Sequence, residues 1–193
     1  MQPKASDIEL IQSVLKGNRM AYADLIKRHQ RYVFTLALRF VKSREEAEEV
    51  AQDVFVKAFN ALKDFQGTAK FSTWLYRITF NTAMVYNRKK KLDLVSVDDE
   101  AYGYSAASEI ATDSDESFDH KSKSVYLSKA INSLAEDDAT VITLFYQNEQ
   151  SLEEIAEIMN IEPNNAKVKL HRARLRLKQK LEVMLKEEVK DLI

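Results

Sequence analysis

The chain is 193 residues long, room for one large domain or two small ones, and its low Gly and Pro counts (3 and 2) favour helices. It has no Cys, which excludes a disulfide framework, a thiolate nucleophile and a thiolate metal site. The formal net charge of −1 hides an uneven partition: residues 1–92 hold 17 basic and 9 acidic side chains, residues 93–125 hold 2 and 9, and residues 126–193 hold 10 and 12.

The opening residues MQPKASDIEL lack the apolar core of a signal peptide, and no apolar run approaches membrane-spanning length. The expectation is a soluble, cytoplasmic protein without membrane insertion. Ser6-x-x-Glu9 is a capping box that starts a short helix ending at Gly17-Asn18. A longer helix over 19–42 follows, with Leu25, Val33, Leu36 and Phe40 among its apolar positions. Ser43-x-x-Glu46 is a second capping box, and its helix reaches about Leu62. Ala47, Val50, Ala51, Val54 and Ala58 face inward on that helix. Glu45, Glu49, Gln52 and Asp53 gather opposite, with Val56 and Asn60. This acidic stripe suits plain solvation or a basic protein partner.

A loop, DFQGTAK, leads into FSTWLYRITFNTAMVYNRKKK, a helix rich in rings and bases. Phe71, Leu75, Ile78 and Thr82 point inward, while Arg77, Asn81, Met84 and Arg88 share an outer stripe with Trp74 at its edge. Cations that track a backbone, rings that stack and an amide suit single-stranded DNA. Trp74, Tyr76 and Phe80 also read as core, and for one or two of them that is the better reading. Residues 93–125 are rich in Asp, Ser and Ala without sustained helical periodicity and read as a flexible acidic linker.

Helical periodicity returns at Leu127, Ile131 and Leu134 and continues through VITLFY. Ser151-x-x-Glu154 is a third capping box, opening SLEEIAEIM, and Pro163 stands at the first turn of a last helix running toward residue 190. A short helix, the tight connection MNIE and a long basic helix make a helix-turn-helix. Ala166, Leu170, Ala173, Leu177 and Leu181 form its inner stripe. Asn164, Lys167, Val168, His171 and Arg172 lie opposite, with Lys169 and Arg176 on one flank and Arg174 and Lys178 on the other. From Lys167 to Lys180 there are seven Lys or Arg and no acid. Amphipathic surface helices usually interleave acids for i,i+4 support, so this face is expected to meet DNA: bases on the groove floor, phosphate on its walls.

These segments carry a resemblance. The chain resembles bacterial sigma factors of the extracytoplasmic-function (ECF) class, which keep only conserved regions 2 and 4. EEAEEVAQDVFVKAF is similar to the region 2 helix that docks on the coiled coil of the polymerase β′ subunit, which implies Glu49, Gln52 and Asp53 as core-binding positions. FQGTAKFSTWLYRITFNTAMVYNRKKK resembles the segment that melts and reads the −10 element, implying Phe65, Gly67, Lys70, Trp74, Arg77, Asn81 and Arg88. SLEEIAEIMNIEPNNAKVKLHRARLRLKQKL is similar to the region 4 helix-turn-helix that reads the −35 element and contacts the β flap. It implies Asn164, Asn165, Lys167, Val168, Lys169, His171, Arg172 and Arg174 as DNA-binding positions.

The resemblance thus implies an all-α protein of two helical domains, 1–92 and 126–193, joined by a linker over 93–125. Its partners would be core RNA polymerase and promoter DNA, duplex and single-stranded, without a cofactor or metal. In that class the linker threads channels that otherwise carry nucleic acid, so its nine carboxylates either mimic phosphate or simply stay solvated. Many members are held inactive by an anti-sigma factor, a partner the resemblance leaves open here. Where family members usually carry a Gly-Thr pair this chain has Asn164-Asn165, and Val168 stands for a common Ser. Val85 and Asn87 reverse a usual polar and apolar order. The resemblance therefore implies no particular promoter sequence.

A stand-alone helix-turn-helix regulator with a helical sensor domain is the competing reading; it leaves the Trp-bearing basic helix and the acidic stripe unexplained. No enzyme is expected. His29, His120 and His171 have no metal-ligand spacing, no phosphate loop or nucleophile motif is present, and His29 reads as a surface residue.

Overall fold

A computed structural model describes the backbone of residues 5–41, 43–95 and 118–191, and the side chains of 5–41, 43–90 and 125–186. Among these residues there is no strand. Eight helices follow one another: α1 (Asp7–Leu15), α2 (Arg19–Val41), α3 (Arg44–Ala61), α4 (Phe71–Val95), α5 (Phe118–Asn132), α6 (Glu136–Tyr146), α7 (Leu152–Met159) and α8 (Pro163–Asp191). A 3-10 turn, Leu62–Asp64, extends α3. Most of the acidic stretch lies outside the described residues, as does the side chain of His120, and the choice between phosphate mimicry and solvation goes with it. Its two ends are helical, however: α4 runs on to Val95 and α5 begins at Phe118, inside the span read as linker.

Helices α1 to α4 pack around Leu25, Val33, Leu36, Val50, Val54, Leu62 and Leu75, each at most 2% exposed. Helices α5 to α8 pack around Ile131, Ile142, Leu144, Ile155, Ile158 and Leu170. Both sets follow the 3.6-residue period of the sequence, because a helix can bury only the stripe it turns toward its neighbours.

The local signals behave unevenly. Ser6 and Ser151 each form the reciprocal capping box. At Ser43 only half of the box forms. Its hydroxyl accepts from the Glu46 amide, but the Glu46 carboxylate instead takes Lys90 at 2.5 Å, from far along the chain. Asn160 supplies the left-handed residue (φ 53°) that ends α7 before the chain turns into α8.

His29 is not a surface residue. It is 6% exposed, its Nε2 lies 2.9 Å from Asp7 Oδ2, and its ring meets the edge of Phe71 at 5.3 Å. Arg28 takes the other Asp7 oxygen at 2.5 Å, so one carboxylate ties α1 to α2. Burial works to raise the Asp7 pKa, but hydrogen bonds and charge from His29 and Arg28 outweigh it and hold the carboxyl below its ordinary 3.8. A lowered carboxyl stabilises the fold above its unfolded pKa, and the contribution disappears as pH falls through the folded value. Asp7→Asn is therefore expected to cost about 1–3 kcal/mol at neutral pH. The gap to wild type should close in strong acid, and denaturant titrations at neutral and acid pH measure both.

The two helical sets also touch. Helix α2 packs on α6, and α4 packs on α7. Tyr76 and Phe80 on α4 are 2% and 6% exposed, which settles them as buried. The Tyr76 phenol is pushed well above its ordinary value of 10, mainly by that burial.

Candidate nucleic-acid and polymerase interfaces

On α3, Ala47, Val50, Val54 and Ala58 are buried and Ala51 half-buried, leaving Glu45, Glu49, Gln52 and Asp53 on the surface. Glu49 accepts a hydrogen bond from the Tyr86 hydroxyl at 3.1 Å, and Asp53 pairs with Lys57 at 2.7 Å one turn on. The groove beside this stripe has no signature in the residue pattern. Ile26, Phe34 and Phe55 line it, with Gln30, Arg31 and Gln52 among its polar edges. Val56 and Phe59, 59% and 42% exposed, extend the apolar surface of the same helix. An acidic helix beside apolar pockets fits a basic, amphipathic partner helix.

Gly67 turns the loop before α4 with φ +71°, a conformation an L side chain resists. Phe65 leaves that loop to meet Phe71 and Trp74, with ring centroids 5.7 and 5.4 Å away, and Trp74 lies 5.6 Å from Phe71. Phe65 and Trp74 are half-buried, so the cluster braces the loop against the start of α4 while keeping ring surface exposed. Along α4, Arg77, Asn81, Met84 and Arg88 are exposed on one stripe, as their spacing requires. Lys70 precedes them in the loop, also exposed. The arrangement offers cations, an amide and ring faces along a single track, the chemistry of unpaired nucleotides.

On α8, Ala166, Leu170 and Ala173 are buried, with Leu177 and Leu181 half-buried below them. Asn164, Asn165, Lys167, Val168, His171 and Arg172 are exposed together. Three neighbouring cations are already engaged. Lys169 pairs with Asp137 at 2.5 Å, Arg176 pairs with the buried Asp138 at 2.5 Å, and Arg174 lies over the Phe145 and Tyr146 rings at 5.0 and 5.3 Å. Lys169 and Arg176 thus clamp α8 onto the start of α6. Arg174 turns toward a second apolar groove of about 650 Å³, lined by Leu127, Ile131, Ile142, Tyr146, Leu177 and Leu181. The structure therefore separates Arg174 from the exposed face it flanks in sequence.

Among the described residues no cluster of His, Asp and Glu could hold a metal ion, and no helix is long and apolar enough to cross a membrane.

Comparison with known proteins coincides with this division. The sigma-70 region 2 pattern matches residues 25–92 and the sigma-70 region 4 pattern matches residues 124–177. The chain is 30% identical over 192 residues to the RNA polymerase sigma-H factor of Pseudomonas aeruginosa, covering 97% of this chain and 100% of that one. It is 34% identical over 177 residues to the ECF RNA polymerase sigma factor SigW of Bacillus subtilis, covering 89% and 94%. Among solved structures it is similar to CnrH in complex with the cytosolic domain of CnrY. That match has a TM-score of 0.63 at 23% identity and covers 90% of this chain and 96% of the other. The family patterns fall on the helices that carry the acidic stripe, the ring-bearing track and the basic helix-turn-helix, and the stand-alone regulator reading falls with that match. Both regions, in this order and over nearly the whole length of its relatives, make the chain an ECF-class RNA polymerase sigma factor.

Proposed function

We propose that the three exposed faces divide the work of promoter-specific initiation in the bacterial cytoplasm. Glu49, Gln52 and Asp53, with the neighbouring apolar groove, dock on the β′ coiled coil. Phe65, Gly67, Lys70, Trp74, Arg77, Asn81 and Arg88 hold the separated −10 strand. Asn164, Asn165, Lys167, Val168, His171 and Arg172 enter the −35 major groove, with Lys169 placed on its flank. The apolar groove beside Arg174 receives the β flap. The domain limits 1–92 and 126–193 follow from this division, and 93–125 connects them. The chain contributes binding and positioning, while bond formation belongs to the polymerase.

One observation carries the reading: a ring-bearing basic track and a basic helix-turn-helix face are both exposed on one chain whose third exposed face is acidic. Two separate DNA-contacting faces fit one promoter contacted in two states, open and duplex. Run-off transcription with purified core polymerase on genomic fragments tests it, with start sites mapped afterwards. Asn81→Ala should leave initial duplex binding near wild type and lower permanganate reactivity of the −10 thymines several-fold, because Asn81 lies on the strand-holding track. Equal loss of both signals would remove Asn81 from that track.

A further inference from the structure

Two side chains in the middle of the α4 track take no part in packing. Met84 and Val85 are 47% and 40% exposed, and neither belongs to the core. Their neighbours on the helix are all engaged. Thr82 and Ala83 are buried, the Tyr86 hydroxyl donates to Glu49 at 3.1 Å, and Asn87 donates to Glu136 at 2.9 Å. The reversed polar and apolar order at 85 and 87 is thus explained on one side only. Asn87 turns its amide to a carboxylate, while Val85 is left exposed.

At about 100° per residue, Trp74, Arg77, Asn81, Met84, Val85 and Arg88 fall within one arc of roughly 100°. Single exposed apolar side chains are common on proteins. An adjacent pair that interrupts a stripe of Arg and Asn marks a change of chemistry along the helix. Toward the N-terminus lie the Phe65 and Trp74 rings and the Asn81 amide, suited to unpaired bases. Beyond the pair come Arg88 and Lys89, both exposed and without a ring beside them on the stripe, suited to the backbone of any strand.

We propose that Met84 and Val85 form an apolar step at the fork, covering the face of the last intact base pair where the −10 strands separate. The step rests on the assignment of α4 to the single strand and goes beyond it by placing the border of the open segment on the helix. Drawing a base out of the stack uncovers the flat face of the pair it leaves. Apolar side chains, Met among them, part stacked bases by inserting against such faces. Met84 is unbranched and adapts to a ring surface. Val85 has one strongly preferred rotamer in a helix and gives the step a fixed wall. Contact with a base-pair face is indifferent to base identity, so the step sets where opening stops and adds nothing to sequence preference.

The test uses holoenzyme on two templates, the duplex promoter and the same promoter with a mismatched, already open −10 segment. Met84→Ala with Val85→Ala should slow open-complex formation on the duplex about tenfold and leave the open template within about twofold of wild type. Met84→Leu with Val85→Ile, which keeps the apolar face, should restore the duplex rate. The loss should persist when the border base pair is exchanged for any other. Equal loss on both templates, no loss on the duplex, or a loss confined to one border pair overturns the step. Arg77→Ala with Asn81→Ala separates the two ideas, since it should weaken binding to the open template. If binding there is undiminished, the strand assignment fails and the step fails with it.

Discussion

Reversing Glu49 and Asp53 together to Lys is expected to abolish assembly with core polymerase while the helical content of the free protein stays unchanged. The fold has little at stake in either carboxylate. Both are exposed on α3, whose packing is supplied by Ala47, Val50, Val54 and Ala58. Asp53 holds only an i,i+4 pair with Lys57, worth about 0.3–0.5 kcal/mol. Glu49 accepts one hydrogen bond from Tyr86, an exposed hydroxyl that water can satisfy instead. Lys is as good a helix former as Glu. An interface of opposite charges has far more to lose, because each reversal replaces an attraction with a like-charge contact costing several kcal/mol. Two such contacts exceed a hundredfold in affinity, at about 1.4 kcal/mol per tenfold. Size-exclusion co-elution with core enzyme reads the loss, and circular dichroism checks the fold. Retained co-elution would place the polymerase contact elsewhere. Glu49→Gln with Asp53→Asn should fall between, since it removes attraction without adding repulsion.

What could be read from the residues was what short range decides. The capping boxes at Ser6 and Ser151 closed because all their atoms lie within four residues. The inner stripes of α3 and α8 followed from helical period alone, and so did the exposed faces opposite them. Failures arose wherever a distant residue took over. Glu46 left its own cap for Lys90, 44 residues on. His29 was buried by Asp7 and Phe71, one from a helix before it and one from a helix after it. Lys169, Arg174 and Arg176 looked like three more bases on a DNA-facing helix. Each also meets α6, through Asp137, Asp138 or the Phe145 and Tyr146 rings, contacts that nothing local announces. The covering of Thr73 by Gln150 and Glu154 had no local signature at all. The two helical sets meet across a stretch whose composition suggested only separation.

That sorting of the α8 cations sharpens the last expectation. Lys167 and Arg172 remain exposed on the outer stripe with Asn164, Val168 and His171, and no ion pair or ring contact holds them among the described residues. They are five positions apart on one face, about 7.5 Å of helix rise, enough for them to address different base pairs of one groove. Lys167→Ala and Arg172→Ala should each weaken −35 recognition by about 1–3 kcal/mol if the side chain reads a base. If the two losses add, they would lower open-complex formation at a −35-dependent promoter by about 30-fold to roughly 10⁴-fold. Lys169→Ala and Arg176→Ala should act differently, since each first breaks a clamp to α6. Arg176→Ala strands the carboxylate of Asp138, which is 3% exposed, and should lower stability of the C-terminal helices as well as binding. Base contact and phosphate contact can be told apart by salt. Loss of a base contact relaxes preference at one promoter position and leaves the slope of log K against log salt near wild type. Loss of a phosphate contact weakens all sequences alike and reduces that slope by about one. Titrations of holoenzyme on promoters altered one base pair at a time, at several salt concentrations, assign each residue to one class. If both variants kept full activity, the groove-facing side of α8 would have to be drawn around Asn164, Asn165 and His171 instead.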